Sequence, residues 1–441
     1  MHATEELGAF VAGHVEGSLP ARTQEMMTLL IIDLLAATAA GFDGPLASAA
    51  RAAAKDIYGQ GPAGVWLSPD KLSIAGAAMA NAAAASALDI DDGHRGAAGH
   101  PGAGIIPAAF AVGQALGSSD AAIRDAIALG YDVALRVATA RPVPTIVTYA
   151  SGLWLSFGVA AAAGRLLKLS GEQIAHAMAI ASVEGPLARV LGGTKYQGST
   201  VKESIPPSVV AGLTGAFRAR AGATGPIDLL DNEEFYDRSV LTDGLGAHWW
   251  LGDCYLKPYA CCRYMHAAVD AILAMREPGK PVKSLRIETF ARGLRLSNSR
   301  APATLEGGQY SYYFSCALAA VRGAAALQPV DPASLRDTAV LELAGRIDLA
   351  SHEDFDDLFP RATPCRVIMD QGDGPRTMTV PSPLGDVGNP MSREQVTEKF
   401  RRISAAQLST GSQDRILAAA GNLQTAGFGP LFDALAATSA S

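Results

Sequence analysis

Apolar residues recur at helical spacing along the first part of the chain. Between residues 23 and 40 apolar side chains fall three or four positions apart, and alanine-rich runs at 46–56 and 73–88 repeat that spacing. After a polar interval at 89–102 the same periodicity returns in these segments: 105–116, 119–138, 152–168, 171–184 and 204–221. Glycine, serine and proline separate several of them, as is typical of helix boundaries. The pattern predicts a helical bundle over most of the first 250 residues.

The pattern changes after about residue 280. Alternation of apolar and polar positions, which indicates strands, appears wholly or in part in three segments: 282–290, 366–370 and 376–380. Helical periodicity returns at 392–437, in a tail too short to bury its own apolar face. We therefore predict a mainly α protein with an α+β part, in which a large discontinuous all-helical domain carries a smaller inserted α/β domain. The predicted boundaries are 1–265 and 392–441 for the helical domain and 266–391 for the insert.

The composition agrees with closely packed helices. The chain has 441 residues, of which 49% are hydrophobic but only 6% aromatic and 18% charged, so alanine and aliphatic residues dominate its apolar content. With 43 acidic and 36 basic residues, the formal charge is −7. This balance disfavours binding to a phosphate backbone, so we expect no nucleic-acid partner.

Cysteine usage and the N-terminal sequence indicate a cytoplasmic protein. The five cysteines are an odd number and form no repeated C-x-x-C pair, which fits a reducing compartment. Residues 1–19 lack the basic stretch and apolar run of a signal peptide. Asp33 interrupts the most apolar segment, 28–42, so the sequence predicts neither a membrane span nor a membrane partner.

The polar interval between the predicted helices carries the strongest chemical signal. Three aspartates and two histidines lie within twelve residues: Asp89, Asp91, Asp92, His94 and His100. In a glycine-rich loop these side chains suit a proton-transfer site or an oxygen and nitrogen metal site. The alternative is that the aspartates cap the next helix and the histidines face solvent. A zinc site is disfavoured because the loop has no cysteine and no H-E-x-x-H motif.

A second segment, 192–203, places Lys195 and Lys202 among glycines and hydroxyl groups just before a predicted helix. Backbone amides at a helix start and an ammonium group together form a cradle for a carboxylate or phosphate. A solvated loop is an equally good interpretation of this spacing. The segment lacks the spacing of a P-loop, so we do not expect a nucleotide.

A third segment, 257–266, mixes cations, phenols and thiols before another helix. A lowered pKa of Cys262, which lies beside Arg263 at the helix start, is one interpretation, but buried cysteines with a surface lysine are the more usual one. A weaker polar group precedes the predicted helix at 152–168: Arg141, Thr148, Tyr149 and Ser151. A tyrosine there is more often packed than functional, so the residues alone do not single out this group.

Four blocks of sequence resemble the MmgE/PrpD family, and together they extend over nearly the whole chain. They are LDIDDGHRGAAGHPGAGIIPAA at 88–109, FGVAAAAGRLLKLSGEQIAHAMAIA at 157–181, GATGP at 222–226 and KPYACCRYMHAAVDA at 257–271. The family includes 2-methylcitrate dehydratase, cis-aconitate decarboxylase and iminodisuccinate epimerase. The resemblance implies a homodimer that works without a metal or organic cofactor. It also implies an active site in a cleft between a large helical domain and a smaller α/β domain.

The resemblance also implies particular site residues. It places the family's functional groups at four positions: the acidic residue at Asp89, the histidine at His100 and the two lysines at Lys202 and Lys257. Four positions depart from the family pattern. Tyr149 and Cys262 stand where decarboxylase-like members have histidines. Phe314 stands where some members have tyrosine, and Ile205 stands where a histidine often follows the first lysine. The proton-transfer set of a dehydratase or decarboxylase is therefore incomplete.

The implied reactions act on a carbon next to a carboxylate, where fixed cations stabilise carbanion-like charge in a small polycarboxylate substrate. The predicted catalytic residues are His100, Asp89, Lys202 and Tyr149. His100 moves a proton, Asp89 fixes the orientation of His100, and Lys202 holds a substrate carboxylate. Tyr149 is a second proton carrier if a lysine lowers its pKa. The predicted substrate-binding residues are Lys257, Arg263, Cys262 and Asp92.

Epimerisation of an iminodisuccinate-like dicarboxylate is the leading prediction, because inversion needs two proton carriers and Tyr149 offers the second. The enzymatic alternatives are a hydro-lyase resembling 2-methylcitrate dehydratase and a decarboxylase resembling cis-aconitate decarboxylase. The remaining alternative is a non-enzymatic helical scaffold that dimerises through its second domain. An enzyme requires that the acidic residue, the histidine and the lysines converge on one cleft, whereas a scaffold predicts that they are dispersed.

Overall fold

The first unit of the protein is a bundle of helices. A computed structural model describes residues 1–186 and 201–436, so Lys195 lies outside the described residues. The helices of this unit are α1 (Ala3–Gly13), α2 (Ala21–Gly41), α3 (Pro45–Tyr58), α4 (Ile74–Ser86), α5 (Gly102–Leu116), α6 (Asp120–Thr139), α7 (Leu155–Leu166), α8 (Gly171–Glu184), α9 (Ile205–Arg220) and α10 (Arg238–Thr242). The helices predicted between residues 23 and 221 are confirmed as α2 to α9, while α1 was not predicted.

Two short antiparallel strand pairs connect loops of this unit. They are β1 (Gln60–Gly64) with β2 (Lys71–Leu72), and β3 (Gly93–His94) with β4 (Cys254–Tyr255). The second pair holds the polar interval after α4 against a segment near the end of the unit. This pairing brings the loop that carries the aspartates and histidines close to the start of the second unit.

Small side chains let the central helices approach one another closely. At the contact of α6 with α7, a Cβ atom on Gly158 would lie 2.3 Å from the carbonyl oxygen of Gly130. Any larger side chain at this position would therefore push the two helices apart. The alanine-rich sequence is thus explained by tight helix packing, which fixes the ends of α4, α5 and α9 from which the site residues project.

The second unit is a four-stranded sheet covered by helices. Its strands are β5 (Ser284–Thr289), β6 (Asp348–Ser351), β7 (Cys365–Asp370) and β8 (Pro375–Val380), in the order β6-β5-β7-β8. Only the β5 and β6 pair is parallel in this sheet. Its helices are α11 (His266–Met275), α12 (Leu305–Gln309), α13 (Tyr312–Arg322), α14 (Thr338–Arg346) and α15 (Glu353–Asp356). Alternate residues of β7 are buried, as its sequence pattern predicts.

The end of the chain returns to the helical unit. Its helices are α16 (Arg393–Ser404), α17 (Thr410–Gly421), α18 (Leu423–Ala426) and α19 (Gly429–Ala436). One apolar core contains residues from Ala3 to Ala260 and again from Met391 to Leu435, and a second core lies between Tyr259 and Met369. The fold is therefore mainly helical with a smaller α/β part, as predicted, while the exact domain boundaries stay predictions.

Helix α2 lies in the core of the described structure. Its 21 residues are long and apolar enough to cross a membrane by length and composition alone, but 72% of its most apolar stretch is buried inside the protein. Asp33 at its middle is fully buried, and its Oδ1 accepts a hydrogen bond of 2.5 Å from Lys399 Nζ of α16. The burial and the ion pair are those of a core helix.

Candidate active site

A cavity of about 300 Å³ lies between the two units and is lined by residues of both. Five predicted site residues line it: Asp89, His100, Tyr149, Cys262 and Arg263. Lys202 and Lys257 contact Asp89 without themselves lining the cavity, and Asp92 also lies off the cavity wall. The acidic residue, the histidine and both lysines therefore converge, as an enzyme requires and a scaffold does not.

Asp89 is the centre of the charge cluster. It follows the end of α4 and has a left-handed backbone (φ 54°), which aspartate adopts more readily than most residues. Its Oδ1 lies 2.8 Å from Lys202 Nζ, 3.1 Å from Lys257 Nζ and 3.2 Å from His100 Nε2. Burial opposes its ionisation, but these cations outweigh burial and hold the pKa of Asp89 well below its usual range.

His100 is held in one orientation by the loop before α5. Its backbone N–H donates to Ser151 Oγ over 2.9 Å, and its Nδ1 lies 2.8 Å from the carbonyl oxygen of Asp92. Because a carbonyl only accepts, Nδ1 carries a proton and donates to it. Nε2 is then directed towards Asp89 and the cavity.

Carboxylates surround the His100 ring. Asp91 Oδ2 lies 3.4 Å from Nδ1, while Asp89 Oδ1 and Glu203 Oε1 lie 3.2 Å and 3.9 Å from Nε2. Burial and the Lys257 ammonium disfavour the charged ring, but the three carboxylates outweigh them and raise the pKa of His100 to about 9. At neutral pH this histidine is therefore an imidazolium that can donate a proton.

Sequence reasoning missed Glu203 and Tyr310. Tyr310 Oη donates to Glu203 Oε1 over 3.0 Å and accepts from Lys202 Nζ over 2.5 Å. Ser151 Oγ donates to Glu203 Oε2 over 2.7 Å, which links that carboxylate to the backbone of His100. A carboxylate directly after Lys202 and before a helix was the available signal for Glu203, whereas nothing near Tyr310 in the sequence marks it.

The loop that carries Glu203 is placed by a close backbone contact. Glu203 and the following Ser204 both have left-handed backbones, with φ of 49° and 56°. The Glu203 carbonyl accepts from Gly152 N–H over 2.9 Å, and a Cβ atom on Gly152 would lie 2.5 Å from the carbonyl oxygen of Ser204. Strained residues held by such contacts are common at functional sites.

Asp92 has a structural position instead of a place in the cavity. Its Oδ1 accepts from the backbone N–H of Gly102 at the start of α5 over 3.1 Å, and its Oδ2 accepts from Tyr131 Oη over 3.0 Å. Both oxygens are thereby occupied within the protein. The predicted contact of Asp92 with substrate finds no support in this geometry. The geometry supports the alternative, in which this aspartate caps the next helix.

Tyr149 and Cys262 line the cavity but have raised pKa values. Burial raises the pKa of Tyr149, and the neighbouring cations Arg292 and Arg141, neither of which is a lysine, do not reverse this. Burial, followed by the charge of Asp89, raises the pKa of Cys262 to about 12. The interpretation that gave Cys262 a lowered pKa is therefore wrong, because the thiol is buried beside a carboxylate.

Arg263 joins the two units. Its Nη2 lies 2.7 Å from Asp386 Oδ1, and its other guanidinium contacts include the backbone carbonyls of Leu256 and Leu384. Arg95 of the loop before α5 contacts the same Asp386 carboxylate over 2.6 Å. Arg263 thus borders the cavity with most of its donors already occupied, instead of offering a free fork to a substrate.

The donor set of the site suits ion pairs better than a metal ion. Asp89, His100 and Glu203 each bring a potential ligand atom within 4.8 Å of the others. However, two ammonium groups contact Asp89, and both would repel a divalent cation at this position. The residues present therefore fit acid–base chemistry on an anion.

A charged acid–base cluster in a cleft between a helical unit and an α/β unit is the site of an enzyme that acts on small anions. The chain belongs to the MmgE/PrpD family, which confirms the resemblance seen in the sequence. The MmgE/PrpD N-terminal domain matches residues 5–245, and the MmgE/PrpD C-terminal domain matches residues 259–425.

Curated relatives extend over nearly the same length. The cis-aconitate decarboxylase-like protein oryM of Aspergillus oryzae is 23% identical over 94% of this chain and 93% of its own. Cis-aconitate decarboxylase of Aspergillus terreus is 24% identical over 91% of this chain and 89% of its own. Cis-aconitate decarboxylase of Homo sapiens is 25% identical over 96% of this chain and 92% of its own. Two of these relatives are named as decarboxylases of cis-aconitate, and the third is named as similar to them.

Proposed function

We propose that the protein is a decarboxylase of a small unsaturated polycarboxylate of the cis-aconitate type. The observation that carries this proposal is His100, an imidazolium that lines the cavity and is surrounded by Asp89, Asp91 and Glu203. Decarboxylation needs a proton donor at the carbon that loses CO₂ or at a conjugated carbon, and a charged histidine supplies one. The named activities of the relatives support the same choice.

The chemical step balances with the groups of the chain and water. Cleavage of the bond between carbon and a carboxylate releases CO₂ and leaves the electron pair on the substrate, delocalised over the adjacent double bond and second carboxylate. The His100 N–H then protonates carbon, and the neutral imidazole regains a proton from water. Asp89, Asp91 and Glu203 stabilise the charged starting state of His100, so the proton donor is prepared before substrate binds.

Epimerisation, our leading prediction from the sequence, receives less support. It needs a base on one face of the substrate carbon and an acid on the other. Tyr149 was the expected second proton carrier, but burial raises its pKa, and the cations that oppose this among the described residues are the arginines Arg292 and Arg141. The hydro-lyase alternative shares the need for an acid, since a leaving hydroxyl group must be protonated, and it is tested by the same experiment.

The substrate class is tested by ¹H and ¹³C NMR of the purified protein with cis-aconitate in D₂O. We expect release of CO₂ and an unsaturated dicarboxylate that carries one deuterium per turnover. Citrate, 2-methylcitrate and aspartate-linked dicarboxylates are run in parallel. Dehydration or hydration without CO₂ would establish the hydro-lyase, and exchange with inversion at an α-carbon would establish the epimerase. Either result would overturn the decarboxylase.

The pH dependence of turnover tests the role of His100 separately. A proton donor must be protonated, so kcat should be flat through neutral pH and fall tenfold per pH unit above the pKa of His100, about 9. Asp91→Asn removes one of the carboxylates that raise this pKa and should move the alkaline limb down by about one pH unit. A base would give the opposite profile, with kcat rising up to pH 9.

A further inference from the structure

Four cations around the cavity are already paired with carboxylates of the chain itself. The pairs are Lys202 and Lys257 with Asp89, and Arg95 and Arg263 with Asp386. These ion pairs position the loops around the cavity, but each cation shares its charge with a carboxylate. A substrate with several carboxylates needs additional positive charge from elsewhere in the cavity wall.

Two arginines of the second unit supply such charge. Arg292 and Arg295 lie on a short 3-10 helix, Ala291–Arg295, and both line the cavity. Among the residues that the structure describes, no carboxylate forms an ion pair with either guanidinium. Since guanidinium remains charged at any physiological pH, both are available to an anion that enters from solvent.

A tyrosine with an unpartnered hydroxyl group contacts one of these arginines and lines the same cavity. The Arg292 guanidinium carbon is 5.0 Å from the centre of the Tyr149 ring. The Tyr149 hydroxyl oxygen is buried and has no hydrogen-bond partner in residues 1–186 and 201–436. A buried hydroxyl without a partner is unfavourable, and a ligand oxygen that accepts from it would recover this free energy.

We propose that Arg292, Arg295 and Tyr149 form a carboxylate-binding subsite that holds a substrate carboxylate which is retained in the reaction. The planar guanidinium of Arg292 suits a bidentate contact with a carboxylate, and the Tyr149 hydroxyl donates a further hydrogen bond. This assigns Tyr149 to substrate binding instead of proton transfer. The inference rests on the proposed function only in taking a polycarboxylate as substrate.

Calorimetric titration with propane-1,2,3-tricarboxylate tests the subsite without turnover, because this compound has no double bond to accept the electron pair. Arg292→Gln should weaken its binding about tenfold or more, and Arg295→Gln and Tyr149→Phe should each weaken it about threefold or more. Arg336→Gln is the matched control, since Arg336 is exposed on a 3-10 helix of the same unit and does not line the cavity. The Arg336→Gln variant should bind propane-1,2,3-tricarboxylate as tightly as the unmodified protein does. Circular dichroism and the melting temperature confirm that each variant is folded.

The outcomes separate the subsite from the reaction. Unchanged affinity in folded Arg292→Gln and Arg295→Gln variants would overturn the subsite, even if the protein releases CO₂ from cis-aconitate. Binding that depends on these residues, in a protein that releases no CO₂, would support the subsite and overturn the decarboxylase. With a true substrate, Arg292→Gln should raise KM about tenfold and change kcat much less, whereas a mainly structural arginine would lower both kcat and stability.

Discussion

Replacing His100 by glutamine lowers kcat about 100- to 10,000-fold, because glutamine keeps a polar side chain in place but cannot donate the proton that completes the reaction. The ring lies 3.2 Å from Asp89 through Nε2, and its other nitrogen is fixed on the Asp92 carbonyl, so no second orientation competes. Steady-state rates of CO₂ release at neutral pH measure the loss. KM should change less than kcat, since the substitution removes a group that acts in the chemical step.

His248→Gln is the matched control for this substitution. His248 is exposed, contacts Asp253 over 2.6 Å and does not line the cavity. Its replacement should leave kcat within about twofold, as is usual for a surface substitution away from a site. A folded His100→Gln variant that keeps more than about a tenth of the activity would contradict the assignment of His100 as proton donor.

Replacing Lys399 by methionine lowers the free energy of unfolding by about 3–5 kcal/mol, the loss typical of a buried ion pair with one partner removed. Lys399 and Asp33 are both buried, and their contact of 2.5 Å joins α16 to α2. Lys399 Nζ also donates to the carbonyl oxygen of Ile90 over 2.7 Å, within the loop that carries Asp89. Urea denaturation measures the change, and kcat should fall as well because this loop loses a support.

A double variant separates the charge from the packing. Asp33→Leu with Lys399→Met replaces the buried pair by apolar side chains, which is often close to neutral for stability. It should recover most of the loss and leave a deficit of about 1–2 kcal/mol for the unpaired Ile90 carbonyl. A single Lys399→Met variant that loses less than about 1 kcal/mol would show that the pair is not an effective tie between the tail and the bundle.

Local sequence signals predict the helices well. Helix α8 begins and ends as its periodicity predicts, because Ser170 caps it and its side chain and Gln173 form a reciprocal capping box. The sequence pattern does not predict strand β6, because the strand has only four residues and their burial does not alternate. It is held by parallel pairing with β5, a long-range interaction that no local pattern records. The homodimer and the cytoplasmic location stay predictions.

The site shows a similar division between local and long-range information. The clustering of Asp89 and His100 within one loop could be read from the sequence, and the family resemblance added the lysines. What the sequence does not contain is the partner of each charge. Tyr310 meets the cluster only through the fold, the contact of Glu203 with the His100 ring is equally long-range, and Lys202 and Lys257 share one carboxylate oxygen. The protonation of His100 follows from these contacts and so was beyond sequence reasoning.

The charge state of His100 is the most direct test of this mechanism, and ¹⁵N NMR of protein labelled at histidine measures it. The His100 signal is assigned by its loss in His100→Gln. At pH 7.5 both ring nitrogens should show the shifts of an imidazolium, and the titration should have its midpoint close to pH 9. A ring that is neutral at pH 7.5, with one protonated and one unprotonated nitrogen, would contradict the proposal that His100 is the proton donor.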